Sequence, residues 1–136
     1  MKKILIDSGP LIALFDASDK YHEKAVRFIK HNKLSLISTI ASVTETLHLL
    51  DFNRDAQIDF LEWIHKGAVE IHPIENSDFG RIKVLTSKYR DLPMDFADSC
   101  LVFLAEKYGI QEIATIDRNF TIYRIKGKKK FKSLIF

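Results

Sequence analysis

Five acids stand at positions where acids are unusual: Asp7, Glu45, Asp95, Asp98 and Asp117. Asp7 ends the apolar run Ile4-Leu5-Ile6, and Asp117 ends Ile113-Ala114-Thr115-Ile116. A short branched apolar run cut off by an acid reads as a buried strand whose carboxyl end carries that acid. Asp95 and Asp98 open a stretch, Asp95 to Ala105, that is otherwise apolar nearly all round. Their spacing puts both carboxylates on one face of a helix that must be buried. Glu45 follows the run Leu34 to Ser38 by roughly two helical turns. Two unit charges ~4 Å apart repel by ~4 kcal/mol at an effective dielectric of about 20, so acids gathered at one crevice require protons or a cation. Carboxylates with water select hard divalent ions, Mg²⁺ or Mn²⁺. Such an ion activates water and stabilises the leaving oxygen of a phosphodiester.

Each acid also has an ordinary use. Asp7 suits a turn or a helix N-cap, and Asp95 with Asp98 suits an N-cap and the first turn that follows it. A first-turn side chain reaches back best when it is Glu or Gln, which leaves Asp98 the least accounted for. Beside Ser42 and Thr46, Glu45 suits a solvated helix face. Other clusters carry less. Glu45/His48 and Glu62/His65 have the spacing of di-iron ligands, but strand signals separate the helices and two further glutamates are missing. A phosphoaspartyl phosphatase needs an acid where Gly9 stands, a receiver domain needs adjacent acids before its first helix, and there is no glycine-rich phosphate loop. His22, His31 and His72 are expected in solvent.

The elements that must position the acids follow from periodicity. A strand ends at Asp7, and Gly9-Pro10 opens an apolar helix, Leu11 to Phe15. A second helix, capped by Ser18 or Asp19, buries Ala25, Val26, Phe28 and Ile29. Leu34 to Ser38 is a strand, followed by a helix from Ile40 to about Leu50. Asn53 caps a helix Arg54 to Lys66 that packs Ile58, Leu61 and Ile64. Ala68 to Ile74 reads as a half-buried or edge strand, with His72 outward. Asn76-Ser77 caps a helix with the stripe Phe79, Ile82, Leu85 and Tyr89. The apolar helix Asp95 to Tyr108 ends at Gly109, a strand spans 112–116, and short strands use Ile122 to Ile125 and Phe131 to Phe136. Strands alternating with helices imply an α/β fold, three layers around a mostly parallel central sheet, in a single domain over residues 1–136. Acids at strand ends then face the ligand crevice of such a sheet.

Composition narrows the class. At 46% hydrophobic and 29% charged residues the chain is of globular type, and one cysteine, Cys100, excludes an internal disulfide. Cys100 lies in an apolar run and reads as an inert core thiol. No apolar run approaches the ~20 residues of a membrane span, and Asp7 interrupts any secretory segment, so the cytoplasm is the expected compartment. A net charge of +3 permits nucleic-acid binding without requiring it.

Four segments together carry a resemblance. Ile4-Leu5-Ile6-Asp7-Ser8-Gly9, Ser42-Val43-Thr44-Glu45, the stretch Leu92 to Val102 with Asp95 and Asp98, and Thr115-Ile116-Asp117-Arg118-Asn119-Phe120 resemble, in order and spacing, the signatures of PIN-domain nucleases. Each is short; the four in order, over about Lys3 to Arg124, are specific. VapC-type toxins, small ribonucleases of toxin–antitoxin pairs, are similar throughout. The resemblance implies a Rossmann-like PIN fold and a metal-dependent endoribonuclease with Asp7, Glu45, Asp98 and Asp117 as catalytic acids. Asp95 would be an additional or outlying metal ligand, with Ser8, Thr115 and Asn119 in support. It further implies Mg²⁺ or Mn²⁺, RNA as substrate, 5′-phosphate and 3′-hydroxyl products, a homodimer, and a small antitoxin whose tail blocks the site. Arg118 and Arg124, near Asp117, are placed to hold a nucleic-acid strand. A PIN nuclease of RNA processing and a non-catalytic binding module remain alternatives, the second disfavoured by the full set of acids. The lysine-rich end, Lys126 to Lys132, lies outside the pattern. It reads either as a solvated charge run or, with Tyr123 and Phe131 interleaved, as a phosphate-contacting surface.

Overall fold

In the computed structural model, which describes residues 1–135, strand β1 (Lys2–Ile6) runs from exposed lysines into fully buried Ile4, Leu5 and Ile6. Helices α1 (Ser8–Phe15) and α2 (His22–His31) lead to β2 (Leu34–Ser38), and α3 (Ile40–Leu49) and α4 (Arg54–His65) lead to β3 (Val69–Ile71). Helices α5 (Phe79–Lys88) and α6 (Phe96–Tyr108) precede β4 (Glu112–Ala114). Short strands β5 (Arg124–Ile125), β6 (Lys129–Lys130) and β7 (Lys132–Ser133) follow. The sheet has the order β3-β2-β1-β4-β7 with every pairing parallel, and β5 and β6 form a separate antiparallel ribbon.

Alternation along the strands builds two cores. Leu5, Ile37 and Ile113 face one with α5 and α6; Ile4, Ile6, Leu36 and Ala114 face the other with α1 and α4. Covering both faces is why the strands read as continuous branched runs, and each fully buried Leu, Ile or Phe stabilises the fold by ~1.5–3 kcal/mol. The expected three-layer α/β/α arrangement is thus present. Helix α6 is its most enclosed element, buried without a break from Ala97 to Ala105 and stopped by Gly109 at φ 64. From β1 the chain moves to β2 on one side, and β4 later returns to the other flank of β1. That reversal opens a crevice at the carboxyl ends of β1 and β4.

Several local expectations need correction. On α4, Ile58 and Leu61 point outward at 55% and 47% exposure, while Ala56, Gln57 and Phe60 turn in. The Phe15 ring stands edge-on to Phe60 at 5.5 Å and to Trp63 at 5.4 Å, and the larger rings claim the inward face. Neither Ser18 nor Asp19 caps α2; the Asp19 carboxylate instead accepts the Tyr21 N–H at 2.8 Å. His72 is not in solvent, since its ring lies 4.7 Å from Tyr108 and its Nε2 3.5 Å from Glu70. His22 bonds the Ala13 carbonyl at 2.7 Å. Phe79 is 48% exposed and stacks on Phe96 instead of joining the core. The two C-terminal strands do not pair with each other as one hairpin: β5 pairs with β6, while β7 joins β4. Phe136, assigned to the last strand, lies outside the described residues. Cys100 is buried as expected, and burial pushes its thiol up to about 12, which keeps it protonated. Among the described residues no helix is long and apolar enough to cross a membrane.

Candidate active site

Strands β1 and β4 stop side by side. Ile6 pairs with Ala114, and the Asp7 N–H donates to the Ala114 carbonyl at 3.0 Å, so the next residues on the two strands, Asp7 and Thr115, meet. Asp7 is both cap and site residue, one oxygen for each. Its Oδ1 accepts the Ser8 N–H at 2.8 Å and caps α1, while Oδ2 accepts the Thr115 hydroxyl at 2.9 Å. The same Thr115 oxygen accepts the Asp117 N–H at 3.0 Å, and Asp117 accepts the Asn119 N–H at 2.9 Å, which curls the chain into a short turn over Arg118–Thr121. Asn119 therefore supports the site through its main chain.

Helix α6 brings the remaining aspartates. Asp95 is its N-cap and accepts the Asp98 N–H at 2.8 Å. Asp98 points inward, 5% exposed, and its Oδ2 accepts the Tyr123 hydroxyl at 3.0 Å. One carboxylate oxygen each from Asp7, Asp98 and Asp117 lies within 4.8 Å of the others. Glu45, half-buried on α3, joins them differently: it accepts the Ser8 hydroxyl and lies close enough to the Asp95 carboxyl to be raised by it. The structure thus gathers three acids in one knot and sets Glu45 and Asp95 beside it as a pair.

The electrostatics follow from this crowding. Burial pushes Asp7 up to about 7; the Ser8 and Thr115 donors oppose that, while the charges of Asp117 and Glu45 add to it. Burial, then the charges of Asp7 and Asp95, push Asp98 up to about 8 against the pull of the Tyr123 hydroxyl. Glu45 is raised by burial, with Ser8 opposing and Asp95 adding. The Tyr123 hydroxyl is raised too, by burial and by Asp98, so it remains an O–H donor. The groups that hold these carboxylates are neutral N–H and O–H donors. Three convergent acid oxygens, two of them on carboxyls pushed up by burial and crowding with no cation beside them, fit a hard divalent cation, which would displace their protons on binding.

Of the two arginines assigned to a nucleic-acid strand, Arg118 is exposed beside Asp117. Arg124 is half-buried, and its Nη1 donates to the carbonyls of Thr121, Ile122 and Tyr123 at 2.8, 2.9 and 3.0 Å, which ties down the chain after the acids. The alternative that interleaves Tyr123 with the lysines as a phosphate-contacting ring does not hold: Tyr123 is fully buried, between Tyr89 at 5.1 Å and Phe120 at 5.0 Å. Its flanking Ile122 and Ile125 were a signal of burial, but nothing in the spacing pointed to Asp98. Tyr123 is a positioning residue. Tyr123→Phe removes the donor that favours ionised Asp98, so metal affinity is expected to fall by about 10–100-fold and the acid limb of the pH–rate profile to move upward. A pH profile taken with saturating metal checks this; an unmoved limb would assign the tyrosine to packing alone.

From Glu45 and Asp95 an open, mainly apolar cleft leads away between α3 and the starts of α5 and α6, with Ile40, His48, Phe79 and Phe96 on its walls. The sequence model of the PIN domain family matches residues 4–126. Ribonuclease VapC26 of Mycobacterium tuberculosis (strain ATCC 25618 / H37Rv) is 28% identical over 131 residues, spanning 94% of this chain and 97% of that protein. The crystal structure of Mycobacterium tuberculosis VapC20, described as a Sarcin-Ricin loop cleaving toxin, aligns with a TM-score of 0.80 at 18% identity, over 88% of this chain and 93% of that one. These findings bear out the likeness to VapC-type proteins drawn from the four motifs. With the motifs, the sheet order and the matched span in agreement, the chain belongs to the PIN domain family.

Proposed function

We propose that this protein is a metal-dependent endoribonuclease of the cytoplasm, the toxin half of a type II toxin–antitoxin pair, acting as a homodimer. The observation that carries the nuclease is the convergence of Asp7, Asp98 and Asp117 within 4.8 Å, two of them with raised protonation. RNA as substrate is supported by the likeness to a ribonuclease over nearly the whole chain. The antitoxin and the dimer rest on the likeness to VapC-type proteins.

Asp7, Asp98 and Asp117 would hold Mg²⁺ or Mn²⁺. When bound, such an ion supplies an activated water and a positive charge for the phosphate oxygens. The chain's own residues prepare the rest. The Thr115 and Tyr123 hydroxyls fix Asp7 and Asp98 in orientation, so ordering the ligands costs little at binding. Glu45, oriented by the Ser8 hydroxyl, would in its ionised form accept a proton from the attacking water or restrain its position. Arg118, exposed beside Asp117, is available to a phosphate next to the scissile one.

The test is cleavage of labelled single-stranded RNA and DNA with Mg²⁺, with Mn²⁺ and with EDTA, beside an Asp7→Asn protein prepared identically. RNA cutting that requires metal and disappears in Asp7→Asn is the expected result. Cutting that persists in EDTA or in the variant would reject the acid site.

A further inference from the structure

The lysines after Tyr123 are not needed by the acids. Arg124, Lys126, Lys128, Lys129, Lys130 and Lys132 put six cations in nine residues with no acid among them, and without them the net charge of +3 becomes −3. The positive charge of the molecule is therefore concentrated on the β5–β6 ribbon and the start of β7. That ribbon breaks two local rules. Lys126 is held at φ 54, ahead of Gly127 at φ 73, in a turn closed by the Lys128 N–H on the Ile125 carbonyl at 3.1 Å. Asn or Gly would occupy that position with less strain. Arg124 also stands directly opposite Lys130, a like-charge pair that weakens a ribbon. Lys128, Lys129, Lys130 and Lys132 are exposed, and the ion pairs among the described residues involve none of them. Protection of a sheet edge accounts for a lysine on β7, but not for a strained lysine or for cations set opposite one another.

The ribbon is fixed relative to the acids. Tyr123, immediately before β5, bonds Asp98. Phe131, immediately after β6, stands edge-on at 5.4 Å to Phe120, three residues beyond Asp117, so it too faces inward and is not a surface ring among the lysines. At the tip, the Lys126 N–H donates to Glu106 at 2.7 Å, eight residues beyond Asp98 on α6, or ~12 Å of helix. The tip of the ribbon therefore lies about two turns of α6 away from Asp98, while its base hangs from the side chains that hold the acids.

We propose that this lysine ribbon is a second contact surface for RNA, engaging backbone phosphates away from the scissile one. The proposal rests on the nuclease reading of the acids. A narrow row of unpaired ammonium groups matches a phosphodiester backbone and reads no bases; its contribution comes from counterion release. The shared roots with Asp98 and the Asp117 turn favour a nucleic acid over a membrane surface.

The test compares the Asp7→Asn protein with and without Lys128→Gln, Lys129→Gln and Lys130→Gln, binding a long single-stranded RNA across a KCl series, followed by fluorescence anisotropy. The expected result is a loss of affinity on the order of tenfold or more at low salt. The slope of log affinity against log salt should fall by roughly two. In the active protein, kcat/KM for the long RNA should fall relative to that for a trinucleotide. An unchanged slope, or equal losses on both substrates, would overturn the proposal. A reduced slope, together with no metal-dependent cutting by the parent protein with Asp7 intact, would uphold the ribbon and reject the nuclease. Lys126→Gly separates binding from structure: it should raise Tm while weakening RNA binding, and a purely structural ribbon would move both together. Vesicles rich in phosphatidylglycerol that bind as tightly as RNA, and lose binding with the same three changes, would overturn the proposal in favour of a membrane.

Discussion

Asp98→Asn is expected to abolish RNA cleavage while making the metal-free protein more stable. The loss of activity follows from exchanging one of three converging carboxylates for a neutral amide. Removing a few kcal/mol of transition-state stabilisation amounts to about a thousandfold in rate. The gain in stability follows from the same crowding. The Asp98 carboxyl has an ordinary value of 3.8 in the unfolded chain and is pushed up to about 8 by burial and its acidic neighbours in the fold. At pH 7 folding must therefore take up a proton or bury a charge, a cost on the order of 4 kcal/mol. Asparagine escapes that cost, and its amide oxygen can still accept the Tyr123 hydroxyl. Urea unfolding in EDTA at pH 7, paired with cleavage in Mn²⁺, reads both effects. A variant less stable than the parent would mean that the buried carboxyl is not crowded. One that still cuts within about tenfold of the parent would remove Asp98 from the site.

The second large effect is on pH dependence. Without metal, stability should fall as pH rises from about 4 to about 8. Between the unfolded value of 3.8 and the folded values of about 7 for Asp7 and about 8 for Asp98, the folded state holds protons that the unfolded chain has released. Stability then decreases with pH, by ~1.4 kcal/mol per pH unit for each such group, and flattens once both are ionised. Glu45, raised by burial and by Asp95, acts in the same direction. On the proposed function a divalent cation would bind the ionised folded acids, so its stabilisation should grow with pH. Melting curves in EDTA and in Mn²⁺ from pH 5 to about 8.5, with the Asp98→Asn curves subtracted, isolate the contribution. A difference curve that is flat in EDTA would count against mutual contact of these acids.

The main lines of the fold could be read from the chain because burial on both sheet faces leaves an unmistakable trace. Ile4 to Ile6, Leu36 with Ile37, and Ile113 with Ala114 are runs that only a covered parallel sheet can use, and Asp7 and Asp117 stand where those runs stop. Helix α4 was harder. Two apolar stripes compete on it, and the one with more aliphatics lost to the one bearing Phe60 and Trp63, because the decision is made by Phe15, some 45 residues away. The same distance problem hid Tyr123, whose partner Asp98 is 25 residues distant in sequence. It also hid the nearness of Glu45 to Asp95, which lies far along the chain at the start of another helix. Local patterns show that an acid is out of place; they do not show which neutral side chain will hold it.

The Thr115 hydroxyl reaches the Asp7 carboxylate across 108 positions, through strands that touch only when Leu5 lies beside Ile113. A contact that closes so much chain is late in forming, and on the ribosome it must wait until the chain has emerged past Thr115. A partly synthesised copy carries Asp7 and Glu45 without Asp117 or the tyrosine that steadies Asp98. On the proposed function, a nascent chain that has not yet released Asp117 and Tyr123 is harmless to the messenger from which it is being translated.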